Sequence, residues 1–276
     1  MDVSRLDGKA ALITGAGSGI GRETALECAR RGADLVICDV NEAGLAETET
    51  QARAAGASSV LGRRVDVSSR EQMSEFAAAV HEQVRAVDLL VNNAGVGLGA
   101  GLLDTTLEDW DWIIGINIMG VVHGCHYFVP AMVQRGGGGH VVNLSSMAGY
   151  HASSALLAYS ATKFGVLGLS LALRDELLAH KIGVTAVCPG IINTPITQTS
   201  PMRGAAADPG VRERAVRMYQ RRNYGPDRVA KGIMRAVQRN RPIAPVAPEA
   251  WLAWGIMRTS PRLGGWVARR LAAAAQ

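Results

Sequence analysis

The chain has 276 residues, of which 48% are hydrophobic and 19% are charged. This balance excludes an intrinsically disordered or fibrous protein and is typical of a globular protein with one large hydrophobic core. Lysine and arginine number 29 against 24 acidic residues, which gives a mild formal net charge of +5. No recognisable nucleic-acid-binding module accompanies this excess, so we expect no nucleic-acid partner.

The first residues, MDVSRLDGKA, carry charges throughout and lack the long apolar stretch of a secretory signal. No later uninterrupted apolar run approaches the ~18–20 residues that span a bilayer. We therefore expect a cytoplasmic protein.

Short runs rich in β-branched residues alternate with longer helical patterns along the chain. The runs predict strands over residues 10–14, 34–38, 60–65, 89–91, 140–144 and 184–187. Apolar residues at helical spacing predict helices over residues 70–85, 107–133 and 159–180. This alternation predicts an α/β fold, a doubly wound Rossmann-type parallel sheet of about seven strands with helices on both faces.

The sequence predicts one domain over residues 1–248, followed by an amphipathic C-terminal extension over 249–276. Residues 241–248 contain Pro242 and Pro245, and proline cannot donate in a central ladder, so a strand here would lie at the sheet edge. Residues 193–224 are rich in proline and polar residues, which predicts a mobile loop covering the substrate side.

A glycine-rich turn follows the first predicted strand directly, and a helical pattern begins at Arg22. Glycines let the backbone approach a pyrophosphate, whose charge is then met by free amides and by the positive end of the helix dipole. This context predicts dinucleotide binding, with a merely flexible turn as the alternative. The predicted contacts are Gly15, Gly17, Ser18, Gly19, Ile20 and Gly21.

Asp39 ends the second predicted strand, where a carboxylate can accept hydrogen bonds from the adenosine ribose hydroxyls. The 2′-phosphate of NADP would face this carboxylate, and two like charges at about 4 Å repel by ~1 to 4 kcal/mol. The neighbours that could offer a compensating cation, Ser18 and Val40, are uncharged. We predict NAD as the cofactor and NADP as the less favoured one. The alternative is that Asp39 is simply a solvated residue at the end of a strand.

Tyr159 and Lys163 stand four residues apart at the start of a helical pattern, so they project from one face. A nearby ammonium favours the phenolate of a tyrosine, whose ordinary pKa of ~10 makes it a poor base at neutral pH. Ser146 lies just beyond the carboxyl end of a predicted strand, where open α/β sheets bind ligands. These residues predict a catalytic group. The alternative is that Tyr159 and Lys163 are a pair on the helix surface and that Ser146 is an ordinary turn hydroxyl. If the turn were shifted, Ser145 would take the place of Ser146.

The glycine turn, the Asn-Asn-Ala-Gly segment at 92–95 and these catalytic candidates together resemble the short-chain dehydrogenase/reductase family over residues 5 to about 195. The resemblance implies that Tyr159 is the acid/base and that Lys163 lowers its pKa and holds the nicotinamide ribose. It implies that Ser146 orients the substrate oxygen and that Asn117 positions a proton-relay water. For Asn117, which needs a local irregularity in its helix, an ordinary buried amide is the alternative.

The resemblance implies further cofactor contacts, some to adenine and some to the nicotinamide carboxamide. They are Asp66, Val67, Asn93, Ala94, Gly95, Pro189, Gly190, Ile192 and Thr194, with Tyr159 and Lys163. Family members usually form dimers or tetramers through their long helices, which implies a homodimer or homotetramer.

The expected reaction is hydride transfer between nicotinamide and a small-molecule secondary alcohol or ketone. Apolar residues near the expected pocket mouth predict a hydrophobic substrate, such as a steroid-, terpenoid- or lipid-derived compound. They are Met147, Leu156, Leu157, Ile196 and Met202, and the alternative is that they only pack the covering segment. Two other functions stay open, an NADPH-dependent carbonyl reductase and a non-catalytic protein that senses NAD(H).

Candidate metal ligands are few. The four cysteines, Cys28, Cys38, Cys125 and Cys188, are scattered without a C-x-x-C pair, which predicts buried free thiols. His123 and His126 share a helix face, but no third ligand accompanies them, so we expect core or interface packing and no metal site.

The segment 251–271 mixes tryptophans and aliphatic residues with arginines in an amphipathic pattern. We expect it to pack within the protein or against another subunit, because tryptophans at helical spacing usually belong to a core. Contact with an anionic membrane surface is the alternative.

Overall fold

A computed structural model describes residues 1–260 of the chain and shows a seven-stranded sheet in the order β3-β2-β1-β4-β5-β6-β7. All neighbouring strands are parallel. The strands are β1 (Ala10–Thr14), β2 (Asp34–Asp39), β3 (Val60–Arg64), β4 (Leu89–Asn92), β5 (Gly139–Leu144), β6 (Ile182–Pro189) and β7 (Ile243–Val246). The predicted doubly wound fold is confirmed, and β7 lies at the sheet edge as its prolines require.

Helices cover both faces of the sheet. They are α1 (Gly19–Ala29), α2 (Glu42–Ala55), α3 (Arg70–His81), α4 (Leu107–Ile114), α5 (Gly120–Arg135), α6 (Leu157–Leu177), α7 (Ile196–Thr199), α8 (Pro209–Arg222), α9 (Pro226–Gln238) and α10 (Pro248–Thr259). The third helix ends four residues before its predicted end at 85, and α6 gives way to a 3₁₀ turn at Leu178–His180. Helix ends of this kind depend on capping contacts that apolar periodicity does not encode.

The sheet is buried on both faces because every crossover places a helix on one of them. In β1, Ala11 and Ile13 face the core cluster beneath α1 and α9, and Ala10 and Leu12 face the cluster beneath α3 and α5. All five residues of this strand are buried. A strand buried on both faces has an apolar sequence without alternation, and this explains the continuous apolar run seen in the sequence.

The predicted helix 107–133 is α4 and α5 joined by a π-helical turn at Gly115–Met119. This continuous segment is long and apolar enough to cross a bilayer by length and composition alone, which the sequence analysis had not anticipated. Ile113 and Phe128 are fully buried in the protein core. Its hydropathy therefore reflects its position between the sheet and the neighbouring helices.

The prediction of a loop over residues 193–224 is wrong in its secondary structure, because α7 and α8 lie within it. Asp208 caps α8 by accepting hydrogen bonds from the Gly210 and Val211 amides, and Pro209 occupies the first turn. An acidic cap followed by proline is a helix start signal, and it was overlooked among the other prolines of the segment.

The C-terminal extension begins with α10, whose Trp254 packs edge-on against the ring of Tyr150. This part packs within the protein, although Trp251 and Leu252 are exposed. The predictions for the rest of the amphipathic segment, residues 261–271, concern residues outside the described part of the chain.

The histidine and cysteine predictions hold only in part. The ring of His123 is buried and contacts the Val67 carbonyl at 2.8 Å, as expected for core packing, whereas His126 is exposed, so that interface packing of His126 stays a prediction. Cys28, Cys38 and Cys188 are buried free thiols, and Cys125 is only half-buried.

Candidate active site

The carboxyl ends of β1, β4, β5 and β6 meet at one edge of the sheet and bring the predicted site together. The glycine turn follows β1, the Asn-Asn-Ala-Gly segment ends β4, Ser146 follows β5, and Pro189-Gly190 ends β6. Parallel strands place their carboxyl ends at a common edge, so the local motifs converge without any long-range sequence signal.

The glycine turn is held against the end of β4 by the Asn93 side chain, which donates to the Thr14 and Gly15 carbonyls at 2.9 and 3.0 Å. A Cβ atom at Gly15 would lie 2.7 Å from the Ala94 backbone. A Cβ atom at Gly21 would lie 2.1 Å from the Gly15 carbonyl oxygen. Both positions therefore require glycine for close backbone packing.

Asp39 lies directly beside the glycine turn. Its carboxylate accepts hydrogen bonds from the Gly17 amide at 2.7 Å and from the Asn41 amide at 2.8 Å. A Cβ atom at Gly17 would lie 2.8 Å from the Asp39 carboxyl carbon. The carboxylate is thus fixed at the position where an adenosine ribose would approach the turn.

The glycine turn faces the segment that ends β6 across a narrow gap. A Cβ atom at Gly19 would lie 3.5 Å from the Thr194 side chain. Gly19, Ile20 and Gly21 form the first turn of α1, whose amides point out of the helix without intrahelical partners. Ser18 directly precedes them and is exposed. Unpaired amides at a helix N-terminus opposite Thr194 fit the phosphates and carboxamide of a dinucleotide.

Tyr159 and Lys163 lie on one face of α6, with the lysine nitrogen 5.6 Å from the centre of the tyrosine ring. The ammonium is buried and donates to the Leu144 carbonyl at 2.9 Å. Burial lowers the pKa of Lys163 to about 8. Burial raises the pKa of Tyr159 to about 12, and a hydrogen bond with Ser146 acts in the opposite direction.

The two serines after β5 have different surroundings. Ser145 is buried and donates to the Lys163 carbonyl at 2.8 Å. Ser146 is half-buried, accepts from the Ala148 amide and lies within hydrogen-bonding reach of Tyr159. Ser145 therefore serves the packing of α6, and Ser146 is the hydroxyl available to a substrate.

Asn117 is buried in the π-helical turn, the irregularity that its predicted role requires. Its amide group bonds both backbone polar groups of Val96 and the Thr162 hydroxyl. A Cβ atom at Gly95 would lie 3.1 Å from the Asn117 side-chain oxygen and 3.4 Å from the Lys163 nitrogen. Asn117 and Lys163 therefore border the same glycine.

Asp66 and Val67 follow β3 at the same edge. The Asp66 carboxylate accepts from both the amide and the hydroxyl of Ser68, and the Val67 carbonyl contacts His123. These bonds hold the turn that follows β3.

Two contacts of the site were not predicted from the sequence. Arg64 lies opposite Asp39 in the β2–β3 register, and Glu249 of α10 accepts a hydrogen bond from the Ile191 amide. The first could have been found from the predicted strand register. The second joins residues 58 positions apart, and no local pattern signals it.

The residues at this edge fit a dinucleotide, since close-packed glycines, open amides and a fixed carboxylate line one gap. No group of three or more His, Cys, Asp or Glu side chains among residues 1–260 is arranged to hold a metal ion.

Comparison with known proteins agrees with this geometry. Residues 9–203 match the short chain dehydrogenase family. The chain is 43% identical over 254 residues to the "Probable oxidoreductase EphD" of Mycobacterium tuberculosis, covering 91% of this chain but only 43% of that longer protein. It is 40% identical over 206 residues to estradiol 17-beta-dehydrogenase 11 of Macaca fascicularis, covering 73% of this chain and 68% of that one.

Among solved structures, a short-chain dehydrogenase/reductase from Burkholderia phymatum in complex with NAD superposes with a TM-score of 0.81 at 35% identity, covering 94% of each chain. The sheet order, the converging motifs and these matches agree. The chain belongs to the short-chain dehydrogenase/reductase family.

Proposed function

We propose that the chain is an NAD-dependent oxidoreductase that interconverts a hydrophobic secondary alcohol and its ketone. The observation that carries this proposal is the meeting of Tyr159, Lys163 and Ser146 beside the glycine-lined cofactor gap. These groups supply a proton carrier, a cation and a hydroxyl donor on one rigid frame.

The proposed mechanism assigns one task to each side chain. In the oxidation direction, Ser146 holds the substrate oxygen and the Tyr159 phenolate takes the hydroxyl proton while a hydride leaves the same carbon, so that a C=O bond forms. A nicotinamide bound in the gap would supply the acceptor for that hydride. Reduction runs in reverse, with the Tyr159 phenol donating its proton.

The phenolate requires stabilisation, because burial raises the pKa of Tyr159 to about 12 in spite of the hydrogen bond with Ser146. The neighbouring Lys163 ammonium and the positive charge of an oxidised nicotinamide would both favour the phenolate. Asn117 is proposed to hold the relay that returns the proton to solvent past Lys163. Its side chain is fully engaged by Val96 and Thr162, so its contribution comes from the π-helical backbone.

The preference for NAD rests on Asp39. Its carboxylate is hydrogen-bonded to the glycine turn and cannot swing away without breaking those bonds. The observation that favours the alternative, an NADPH-dependent carbonyl reductase, is Arg64. It is the register partner of Asp39, it is exposed, and it forms a long ion pair of 3.9 Å with Glu42.

The hydrophobic substrate is supported by the apolar surroundings of Tyr159. Its ring packs against a buried cluster that includes Leu98 and Ala100. Leu156 and Met202 pair with the backbone of Ala100 and Gly99, so both flank this cluster. Ile196 is half-buried beside Gly97. Estradiol, the steroid alcohol in the name of the relative estradiol 17-beta-dehydrogenase 11, has the same apolar character.

A cytoplasmic location and a homodimer or homotetramer complete the proposal. Phe164 and Leu171 lie on α6 with 43% and 37% of their surface exposed, which leaves an apolar face for a second subunit. Light scattering of the purified chain measures the assembly, and a monomer at micromolar concentration would contradict it.

The central experiment is a panel of alcohols and ketones monitored by nicotinamide absorbance with both cofactors. Secondary alcohols of increasing chain length are expected to gain about fourfold in kcat/KM per methylene while the pocket fills, since each buried CH₂ contributes ~0.8 kcal/mol. Activity confined to small polar sugars would contradict the hydrophobic substrate.

The matched variant is Tyr159→Phe, which keeps the ring and removes the phenol oxygen. We expect turnover to fall by about 10³-fold or more while the Kd for NADH, measured by fluorescence, changes within a few-fold. Near-normal turnover would defeat the assignment of Tyr159. A wild-type chain that binds NADH tightly but turns over no member of the panel would favour the sensing function instead.

A further inference from the structure

The first turn of α10 contacts three segments that border the cleft, although it lies beyond the motifs that predicted the site. Glu249 accepts a hydrogen bond from the Ile191 amide at 2.8 Å and forms an ion pair with Arg222 of α8. The Ala250 carbonyl accepts a hydrogen bond from the Tyr150 phenol at 2.7 Å. The first turn of α10 thus contacts the segment after Ser146, the segment after β6 and α8, which we call the covering helix.

The contact with the segment after β6 is close. A Cβ atom at Gly190 would lie 2.4 Å from the Glu249 carboxylate, so only glycine lets that side chain reach the Ile191 amide. The flanking amides of Gly190 and Asn193 are bonded to Val246 and Tyr224. Within residues 1–260 the amides of Ile192 and Thr194 have no hydrogen-bond partner, which leaves both free for a ligand.

The contact with α8 acts on a weakly packed helix. No residue of α8 is buried. Two of its arginines donate hydrogen bonds to other elements: Arg212 to the carbonyls of Gln198 and Ser200, and Arg222 to the Glu249 carboxylate. A helix with so little buried apolar surface opens at low free-energy cost, so each charged contact has a large share in holding it.

The Glu249 carboxylate divides its two oxygens between these partners. Oε1 bonds the Ile191 amide and Oε2 pairs with Arg222. The carboxylate is partly shielded, with 23% of the side chain exposed, whereas the Arg217–Glu213 pair on the same helix has 57% and 66% exposed. Shielded, charge-assisted hydrogen bonds stabilise more than exposed ion pairs do.

We propose that Glu249 is a positioning residue that couples closure of α8 to the placement of the Pro189–Thr194 segment against the nicotinamide. The inference rests on the proposed function for the identity of the group bound at that segment. Because coupling between two sites is reciprocal, a bound cofactor must stabilise the closed α8, and a closed α8 must strengthen cofactor binding.

The test uses the full chain and two readouts that need no substrate. One is the Kd for NADH, measured by fluorescence. The other is the rate of trypsin cleavage within residues 209–222, a segment rich in arginine, with and without saturating NADH. Cleavage reports the population of opened α8, because trypsin cuts an unfolded segment far faster than a helix.

The variants are Glu249→Gln, which keeps a neutral acceptor for the Ile191 amide, and Glu249→Ala, which removes both contacts. We expect Glu249→Gln to be cleaved about fivefold faster than wild type, to weaken NADH binding about threefold and to lose most NADH protection. Glu249→Ala is expected to exceed it in all three measures. Glu213→Gln, which breaks the exposed pair on the same helix, is expected to match wild type within about twofold.

Arg222→Lys keeps the cation and the cleavage site, and it is expected to retain at least half of the NADH protection. Thermal unfolding of each variant within about 3 °C of wild type shows that the fold is intact. If Glu249→Gln keeps wild-type cleavage and protection, or if Glu213→Gln changes both equally, the positioning role is overturned. NADH titration of wild type checks the proposed function separately: failure to bind there overturns both proposals, whereas normal binding there with an unaffected Glu249→Gln overturns only this one.

Discussion

The glycine turn and the covering helix α8 border the same cleft but are built differently. The turn is held by contacts between backbone atoms, so close that a single added carbon at Gly21 would lie 2.1 Å from a carbonyl oxygen. The covering helix has no fully buried residue, and arginine side chains supply its hydrogen bonds to other elements. One region allows a single arrangement, and the other can open.

This difference separates the two parts of the function. Close backbone packing fixes where a dinucleotide can bind, and it tolerates few substitutions. The covering helix can change its side chains at small cost in stability, as surface segments generally can. Four substitutions compare closely packed positions of the site with an open position outside it, in decreasing order of expected effect.

The largest effect is expected for Gly21→Ala in the turn. Its Cβ atom would meet the Gly15 carbonyl oxygen at 2.1 Å and the Asn93 amide nitrogen at 2.4 Å, and neither can move without shifting the turn. We expect NADH affinity to fall by about 100-fold or more and the free energy of unfolding to fall by about 3 kcal/mol. Fluorescence titration and urea unfolding measure both, and a variant with NADH affinity within a few-fold of wild type would contradict the close-packing argument.

The second effect is a gain in stability from Lys163→Met. Burial lowers the pKa of Lys163 from 10.5 to about 8, so the cost of the charged form is fully present below pH 8 and fades as the pH rises toward 10.5. Removing the charge is expected to raise the free energy of unfolding at pH 7 by about 1–3 kcal/mol, less at pH 10, and to abolish turnover.

The control for this prediction is Lys231→Met on α9. Its ammonium is half-exposed and pairs with Asp227, so stability is expected to stay within about 0.5 kcal/mol of wild type at both pH values. A Lys163→Met variant that is less stable than wild type at pH 7 would show that the ammonium supports the fold.

The third effect concerns the cofactor. Asp39→Asn keeps the side-chain shape and an acceptor for the Gly17 amide but removes the charge that would face a 2′-phosphate. We expect the ratio of kcat/KM for NADP to that for NAD to rise about 10-fold or more. Asp34→Asn, at the opposite end of the same strand, should leave the ratio unchanged. An unchanged ratio in Asp39→Asn would point to Arg64 as the residue that sets the preference.

The smallest effect is expected for Gly255→Ala in α10. It makes the same glycine-to-alanine change as Gly21→Ala, but at a position outside the glycine turn. An added Cβ atom there has no heavy atom within 4 Å and the residue is exposed. Alanine is the better helix former, so the free energy of unfolding is expected to rise by about 0.5–1 kcal/mol without change in NADH affinity. A loss of NADH affinity would show that α10 tolerates as little change as the turn does.

Much of the fold and of the candidate site could be predicted because the signals are local. Short runs rich in β-branched residues predicted six strands, and the prolines of 241–248 predicted the edge position of β7, which the structure confirms. Asn117 was predicted to need a helix irregularity, and a π-helical turn surrounds it. The helices within 193–224 were not predicted, because their capping signals stand among prolines that also favour loops.

The sequence by itself determined the glycine turn, the Asp39 strand end and the four-residue spacing of Tyr159 and Lys163, since each depends on neighbours within a turn of backbone. Only the tertiary structure distinguished the surroundings of Ser145 and Ser146, because the difference depends on which hydroxyl donates to the Lys163 carbonyl. It alone joined Glu249 to Ile191 and Arg222. Segments far apart in the sequence come into contact only after the sheet has formed and set the distance between them. Periodicity along the chain contains no information about that distance.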